Sequence, residues 1–131
     1  MSKVLIDKND EVDLEVTSQD QKMINLFGRL NNRKHELLKM KAYKQEALEK
    51  SGDARDEIFL ADDDAKFNYT MGQAFLETDK VESETLVERF IEKLETEIKQ
   101  IDSEVSAINS KHQELKVLLY AKFKNSINLE E

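Results

Sequence analysis

From Val87 to Lys122 the chain repeats one spacing, alternately four residues and three. The positions are Val87, Ile91, Leu94, Ile98, Ile101, Val105, Ile108, His112, Leu115, Leu119 and Lys122. Nine of these eleven are apolar, and most of the nine are branched. Glu, Lys, Gln and Ser flank the seam. A heptad stripe held over five repeats marks a coiled coil, because the supercoil keeps such a stripe against a partner helix. The first half carries a weaker version in Met23, Leu26, Leu30, Arg33, Leu37, Met40, Lys44, Ala47, Ser51, Ala54, Ile58 and Ala61. Four of these are small, which lets large partner side chains approach closely. Capping signals stand at Ser18 with Gln21 and at Asp79 with Glu82. Proline is absent and glycine occurs only at positions 28, 52 and 72, so little interrupts a long element. The pattern predicts helices over 18–61 and 80–124, each roughly 65 Å long.

Between them lies KFNYTMGQAF, Lys66 to Phe75, where the period changes to two. Lys66–Met71 and Ala74–Glu77 read as two strands of a hairpin over 66–77, with Gly72-Gln73 as a type II′ turn. A short connection requires the helices to fold back antiparallel. Mirroring the chain about Gly72 and Gln73 sets Leu26 against Leu119, Leu30 against Leu115 and Leu37 against Ile108. The same register sets Arg33 against His112, two polar interruptions that would share one register layer. The fold class is therefore mainly α: a long antiparallel two-helix coiled coil with one central β-hairpin, a single domain over 16–131. Residues 1–15 are acidic and without period, and are expected to be disordered.

Two strands alone in water are marginal, and each leaves an edge of unpaired backbone groups. The hairpin also carries Phe67, Tyr69, Met71, Phe75 and Leu76. A slender helical shaft offers little to cover them, so other chains are expected to complete the sheet, with these five residues as the assembly surface. The simpler alternative is a hairpin folded onto its own helices.

The 131 residues bear a net charge of −8, which argues against a nucleic-acid partner. No apolar run nears the ~20 residues that span a bilayer, and the first residues show no signal-peptide core, so a cytoplasmic protein is expected, with the nucleus as a second compartment. There is no cysteine, which excludes disulfides and thiolate metal sites. Asp62, Asp63 and Asp64 are consecutive and lack the alternation, central glycine and terminal glutamate of a calcium loop. His112 lies on a seam and His35 off it, with no metalloprotease motif and no nucleophile–base grouping. Lys39, Lys41 and Lys44 read as a solvated face that also suits an acidic partner surface. Neither catalysis, nor a cofactor, nor a metal is expected.

Three segments carry a family resemblance. QDQKMINLF resembles the start of the first helix of a β-class prefoldin subunit, DEIFLADDDAKFNYTMGQAFLE resembles its junction and hairpin, and LYAKFKNSINLEE resembles its C-terminal tail. They occur in the family's order and reach from the first helix to the C-terminal end. Two departures stand out: the family tail usually has glycine where this chain has Lys124, and the family strand often carries a proline that is absent here. The resemblance implies a heterohexamer of two α-class and four β-class subunits. Their hairpins would close into intersubunit β-barrels, and the coiled coils would hang as tentacles. It further implies an ATP-independent holdase that captures unfolded actin, tubulin and other clients and passes them to the cytosolic chaperonin.

On that reading the distal tip, where both chain ends meet, holds the client. The candidate contact residues are Ile24, Phe27, Tyr120, Phe123, Ile127 and Leu129, with Leu118, Val12, Leu14 and Val16 nearby in sequence. Sealing of the coil end is the plainer role, assigned to Leu115 and Leu119. The rival function is a structural coiled-coil adaptor that tethers partners without affinity for unfolded chains.

Overall fold

The computed structural model describes residues 4–6, 15–71 and 73–131. In chain order these form β1 (Val4–Ile6), α1 (Ser18–Leu60), β2 (Lys66–Met71), β3 (Ala74–Asp79), α2 (Lys80–Phe123), a 3-10 turn at Lys124–Ser126, and β4 (Ile127–Leu129). The two helices and the central hairpin match the expected architecture, with both helix ends within a residue of their expected places. The chain divides into two compact units: Met1–Lys39 with Ile101–Glu131, and Met40–Gln100.

In the first unit the early part of α1 packs against the late part of α2. Its main core cluster joins Phe27 to Leu115, Leu119, Phe123, Ile127 and Leu129, with Met23, Ile24, Leu26 and Leu30 half-buried against it. A second cluster holds Leu37, Ile101 and Ile108, flanked by Leu30 and Val105. The heptad stripe of α2 thus does what its spacing requires, burying one apolar side chain per turn. α1 starts with a capping box, but one residue earlier than expected. Asp20 N donates to Thr17 Oγ1 at 3.1 Å and Thr17 N to Asp20 Oδ2 at 3.0 Å. Thr17, not Ser18, is the cap, because its hydroxyl is the one placed to meet a free amide of the first turn.

In the second unit β2 and β3 pair antiparallel from Lys66↔Asp79 to Met71↔Ala74, so β3 runs two residues beyond the expected strand. The register agrees with a tip at Gly72-Gln73; Gly72 itself lies outside the described residues. The hairpin is joined to the start of α2 by buried hydroxyls. Thr78 Oγ1 donates to Ser83 Oγ at 2.7 Å, with the Phe67 carbonyl 3.3 Å away, and Ser83 Oγ donates to the Asp79 carbonyl at 2.7 Å. As expected, Asp79 caps α2, accepting from Glu82 N at 2.8 Å. α1 ends without a basic residue in its last turn. Lys80 supplies one from across the hairpin, donating to the Phe59 carbonyl at 3.1 Å and the Ala61 carbonyl at 2.9 Å, and lying 3.6 Å from Asp63. It satisfies carbonyls that the helix end leaves unpaired and complements the helix dipole there.

The core clusters hold the apolar pairs of the mirrored register together, Leu26 and Leu30 with Leu115 and Leu119 and Leu37 with Ile108, but its polar layer does not form. Arg33 meets Glu104, with Nε donating at 3.0 Å, about two helical turns before His112 along α2. His112 instead stacks on Phe27. The predicted Arg33–His112 layer is therefore replaced by two separate pairings. In the other unit Arg55 meets Glu88 and Lys44 meets Glu97, so Lys44 is not part of a solvated lysine face. The two sides of the hairpin differ in their connections. Five residues, Ala61 to Ala65, separate α1 from β2, whereas β3 passes into α2 with no linker.

Residues 4–6 also depart from expectation. Val4–Ile6 pair as a strand with Ile127–Leu129, so they are not disordered. The rest of that expectation, residues 1–3 and 7–14 with Val12 and Leu14 among them, lies outside the described residues. β4 follows from a left-handed residue at the end of α2: Lys124 has φ 52°. A side chain there is strained where glycine is not. Lys124→Gly should stabilise the chain by about 1 kcal/mol, read as a higher urea midpoint with an unchanged slope. Destabilisation would show that the lysine side chain does more than tolerate the turn.

Candidate functional site

Two surfaces answer to the sequence-predicted sites, one in each unit. In the second unit, apolar side chains concentrate around the hairpin yet stay uncovered. Phe75 is 72% exposed and Leu60 81%, and Phe59, Leu76 and Val81 are each more than half exposed. Cross-strand pairing puts Phe67, Tyr69, Leu76 and Thr78 on one face of the sheet and Phe75 on the other. Phe67 and Tyr69 are half-buried; the Met71 side chain lies outside the described residues. The small seam residue Ala54 leaves space beneath β2. There Ala54, Ile58, Phe67, Tyr69, Val87 and Phe90 line an open groove of about 390 Å³. The hairpin therefore presents uncovered apolar side chains on both faces, and an unfilled groove beside one of them. Sequence reasoning picked out the hairpin residues. It missed Phe59, Leu60 and Val81, whose signal was that they are large, apolar and off the seam.

In the first unit most of the predicted tip residues are covered. Phe27 is 0% exposed, and Phe123, Ile127 and Leu129 are also buried in the unit's own core. Ile24 is half-buried against the same cluster. Of the six, only Tyr120 is exposed, at 37%. The cause is the turn at Lys124, which lays β4 back on the helix end. Ile127 and Leu129 point inward and Asn128 outward. That alternation was legible in I-N-L, but a strand of three residues needs a partner, and the partner lies at the other end of the chain. What remains uncovered is a short stripe on the last turns of α2: Val117, Leu118 at 51%, and Tyr120.

Polar contacts lock this tip. Asp20, almost fully buried, takes the Lys122 ammonium in addition to its capping bonds. Lys122, the last position of the heptad stripe, also lies over the Phe123 ring. His112 Nε2 donates to the Phe27 carbonyl at 3.2 Å, since a carbonyl can only accept, and its ring stacks on Phe27 with centroids 4.2 Å apart. Glu131 is held by Lys116 at 3.0 Å. The Lys122 hydrogen bond, with help from Thr17, holds the Asp20 carboxyl below its ordinary value of 3.8. The Lys116 hydrogen bond likewise lowers Glu131 from 4.5. Sequence reasoning also missed the buried Asn31, whose Oδ1 has no hydrogen-bond partner among the described residues. Among the described residues no group of three or more His, Asp or Glu is placed to hold a metal ion, and no helix is long and apolar enough to cross a membrane. The geometry offers surfaces for holding other chains.

The lowered carboxyls set a pH dependence. A carboxyl whose folded value is depressed contributes stability above its unfolded value and loses it as pH falls through the folded one. The urea midpoint should therefore be flat from pH 7 to about 5 and fall steeply below about 4. Asp20→Asn should lower the midpoint at pH 7 and flatten the acid limb. An unchanged acid limb in Asp20→Asn would contradict the Asp20–Lys122 lock.

Comparison with known proteins agrees with this arrangement. The family model described as prefoldin subunit matches residues 21–126. "Probable prefoldin subunit 4" of Dictyostelium discoideum is 64% identical over the full length of both chains. "Prefoldin subunit 4" of Homo sapiens is 39% identical, covering 90% of this chain and 89% of that one. "Prefoldin subunit 4" of Saccharomyces cerevisiae is 31% identical, over 96% and 98% respectively. Among solved structures, the prefoldin beta subunit from Thermococcus strain KS-1 shares the fold, with a TM-score of 0.71 and 23% identity, covering 84% of this chain and 96% of that one. A match over most of the chain and full-length relatives of one kind make the conclusion plain: this chain belongs to the prefoldin family, whose members are non-enzymatic subunits of a chaperone complex.

Proposed function

We propose that this chain is one subunit of a hexamer of two α-class and four β-class subunits, acting in the cytoplasm and also in the nucleus. The assembly binds unfolded proteins such as actin and tubulin at its coiled-coil tips, without ATP, and delivers them to the cytosolic chaperonin. The observation that carries the assembly is the ring of exposed apolar side chains around an unshared two-stranded hairpin. Hairpins of neighbouring subunits would pair with the free edges of β2 and β3 and fill the groove under Phe67 and Tyr69. Barrel closure is the arrangement that leaves no edge unpaired.

The tip reading moves from the buried residues to the stripe that stays uncovered. Val117, Leu118 and Tyr120 give the client a small apolar contact, weak alone and useful when several tips act together. Phe27, Phe123, Ile127 and Leu129 support that stripe from beneath.

The test is reconstitution with the cognate subunits. Native mass spectrometry should give a hexamer containing this chain, and the complex should suppress aggregation of denatured actin without ATP. Phe75→Asp with Leu76→Asp should abolish hexamer formation by burying charge at the interface. Val117→Ser, Leu118→Ser and Tyr120→Ser together should leave the hexamer mass unchanged and weaken suppression several-fold. Normal assembly with no suppression by the unmodified complex would favour a coiled-coil adaptor.

A further inference from the structure

We propose that β4 is a docking strand for extended apolar segments of unfolded polypeptide, and that β1 is a tethered stand-in that occupies it when no client is bound. The proposal rests on the client-holding reading and specifies how the tip grips a chain without reading its sequence.

Four observations lead there. First, β4 already has an extended apolar segment seated on it. Val4, Leu5 and Ile6 pair antiparallel with Leu129, Asn128 and Ile127. The cis occupant is held by main-chain pairing, so the edge accepts an extended backbone. Second, β4 does not depend on β1 for its anchorage. Ile127 and Leu129 are buried against Phe27, Leu119 and Phe123, and Glu131 beyond them is held by Lys116 at 3.0 Å. The strand is fixed from the helix side, so its neighbour can be exchanged while its backbone stays in place. Third, the ladder is three residue pairs long. So short a pairing is readily displaced, and main-chain pairing tolerates the varied sequences of unfolded proteins. Fourth, the same unit carries the uncovered Val117, Leu118 and Tyr120, a second contact for the side chains of an incoming segment. A stand-in of this kind lowers apparent client affinity by the fraction of time it occupies the seat and keeps an aggregation-prone edge covered in the free protein.

The test uses the reconstituted hexamer in three forms: intact, lacking residues 2–6 of this chain, and carrying Leu5→Pro. The proline keeps the chain length and removes an amide donor. The probes are chemically denatured actin and a fluorescent synthetic peptide of residues 1–8. Both altered complexes should bind denatured actin more tightly, by about threefold or more. The peptide should bind the shortened complex better than the intact one and compete with actin for it. Hydrogen exchange on actin-bound intact complex should show protection lost at Val4–Ile6 and kept at Ile127–Leu129. Unchanged or weaker actin binding by both altered complexes would overturn the proposal. So would failure of the peptide to bind the shortened complex, or persistent protection of Val4–Ile6 with actin bound. If the intact complex binds no denatured actin at all, the client-holding reading fails by itself, and peptide binding to the shortened complex still decides whether β4 is a strand seat.

Discussion

A two-stranded sheet has an outer edge on each strand, and every edge amide and carbonyl needs a partner. In this chain that requirement falls on the hairpin β2–β3, which has no third strand among the described residues. Its surroundings do not compensate. Phe59, Leu60, Phe75, Leu76 and Val81 remain exposed beside it, and the groove under β2 is unfilled. The buried Thr78–Ser83 contact and the Lys80 clamp hold the hairpin firmly to its own helices. They fix its position and leave its edges open, which is what an element needs if it is to be completed by other copies of the same fold.

The tip shows the opposite economy. β4 turns inward there, and apolar residues that look available in sequence form a small core. Charge closes it: Lys122 reaches buried Asp20, and Lys116 holds Glu131. Asp20 is the buried member, so removing Lys122 would leave its charge uncompensated, and that contact acts as a lock. Among the described residues of the last turns of α2, Val117, Leu118 and Tyr120 stay open. One fold thus carries a broad apolar surface around the hairpin and a much smaller one at the tip.

Most of the architecture was legible because its signals are local. The heptad stripe, the change to period two at Phe67, and the absence of proline between Ser18 and Phe123 fix the elements without knowledge of contacts. The polar pairings between the helices were not legible: Arg33 reaches Glu104 and His112 stacks on Phe27, contacts that a mirror drawn through the hairpin tip does not give. The capping box was displaced by one residue, since Thr17 and Ser18 are equally plausible caps until backbone geometry chooses. The tip residues were misjudged for a different reason. Phe27, Ile127 and Leu129 are buried because a left-handed turn at Lys124 lays β4 back on the helix end, and that turn leaves no signal in a local window. Family resemblance pointed to a glycine at the turn, and the positive φ of Lys124 explains why that position favours one.

The central claim is that the hairpin acquires its stability from neighbouring subunits. Amide hydrogen exchange of β2 and β3, compared between the isolated chain and the assembled complex, tests it most directly. The account predicts fast exchange across Lys66–Met71 and Ala74–Asp79 in the isolated chain and strong protection after assembly, while amides in the buried stretch Ile101–Leu115 stay protected in both. Equal, strong protection of both strands in the isolated monomer would contradict it.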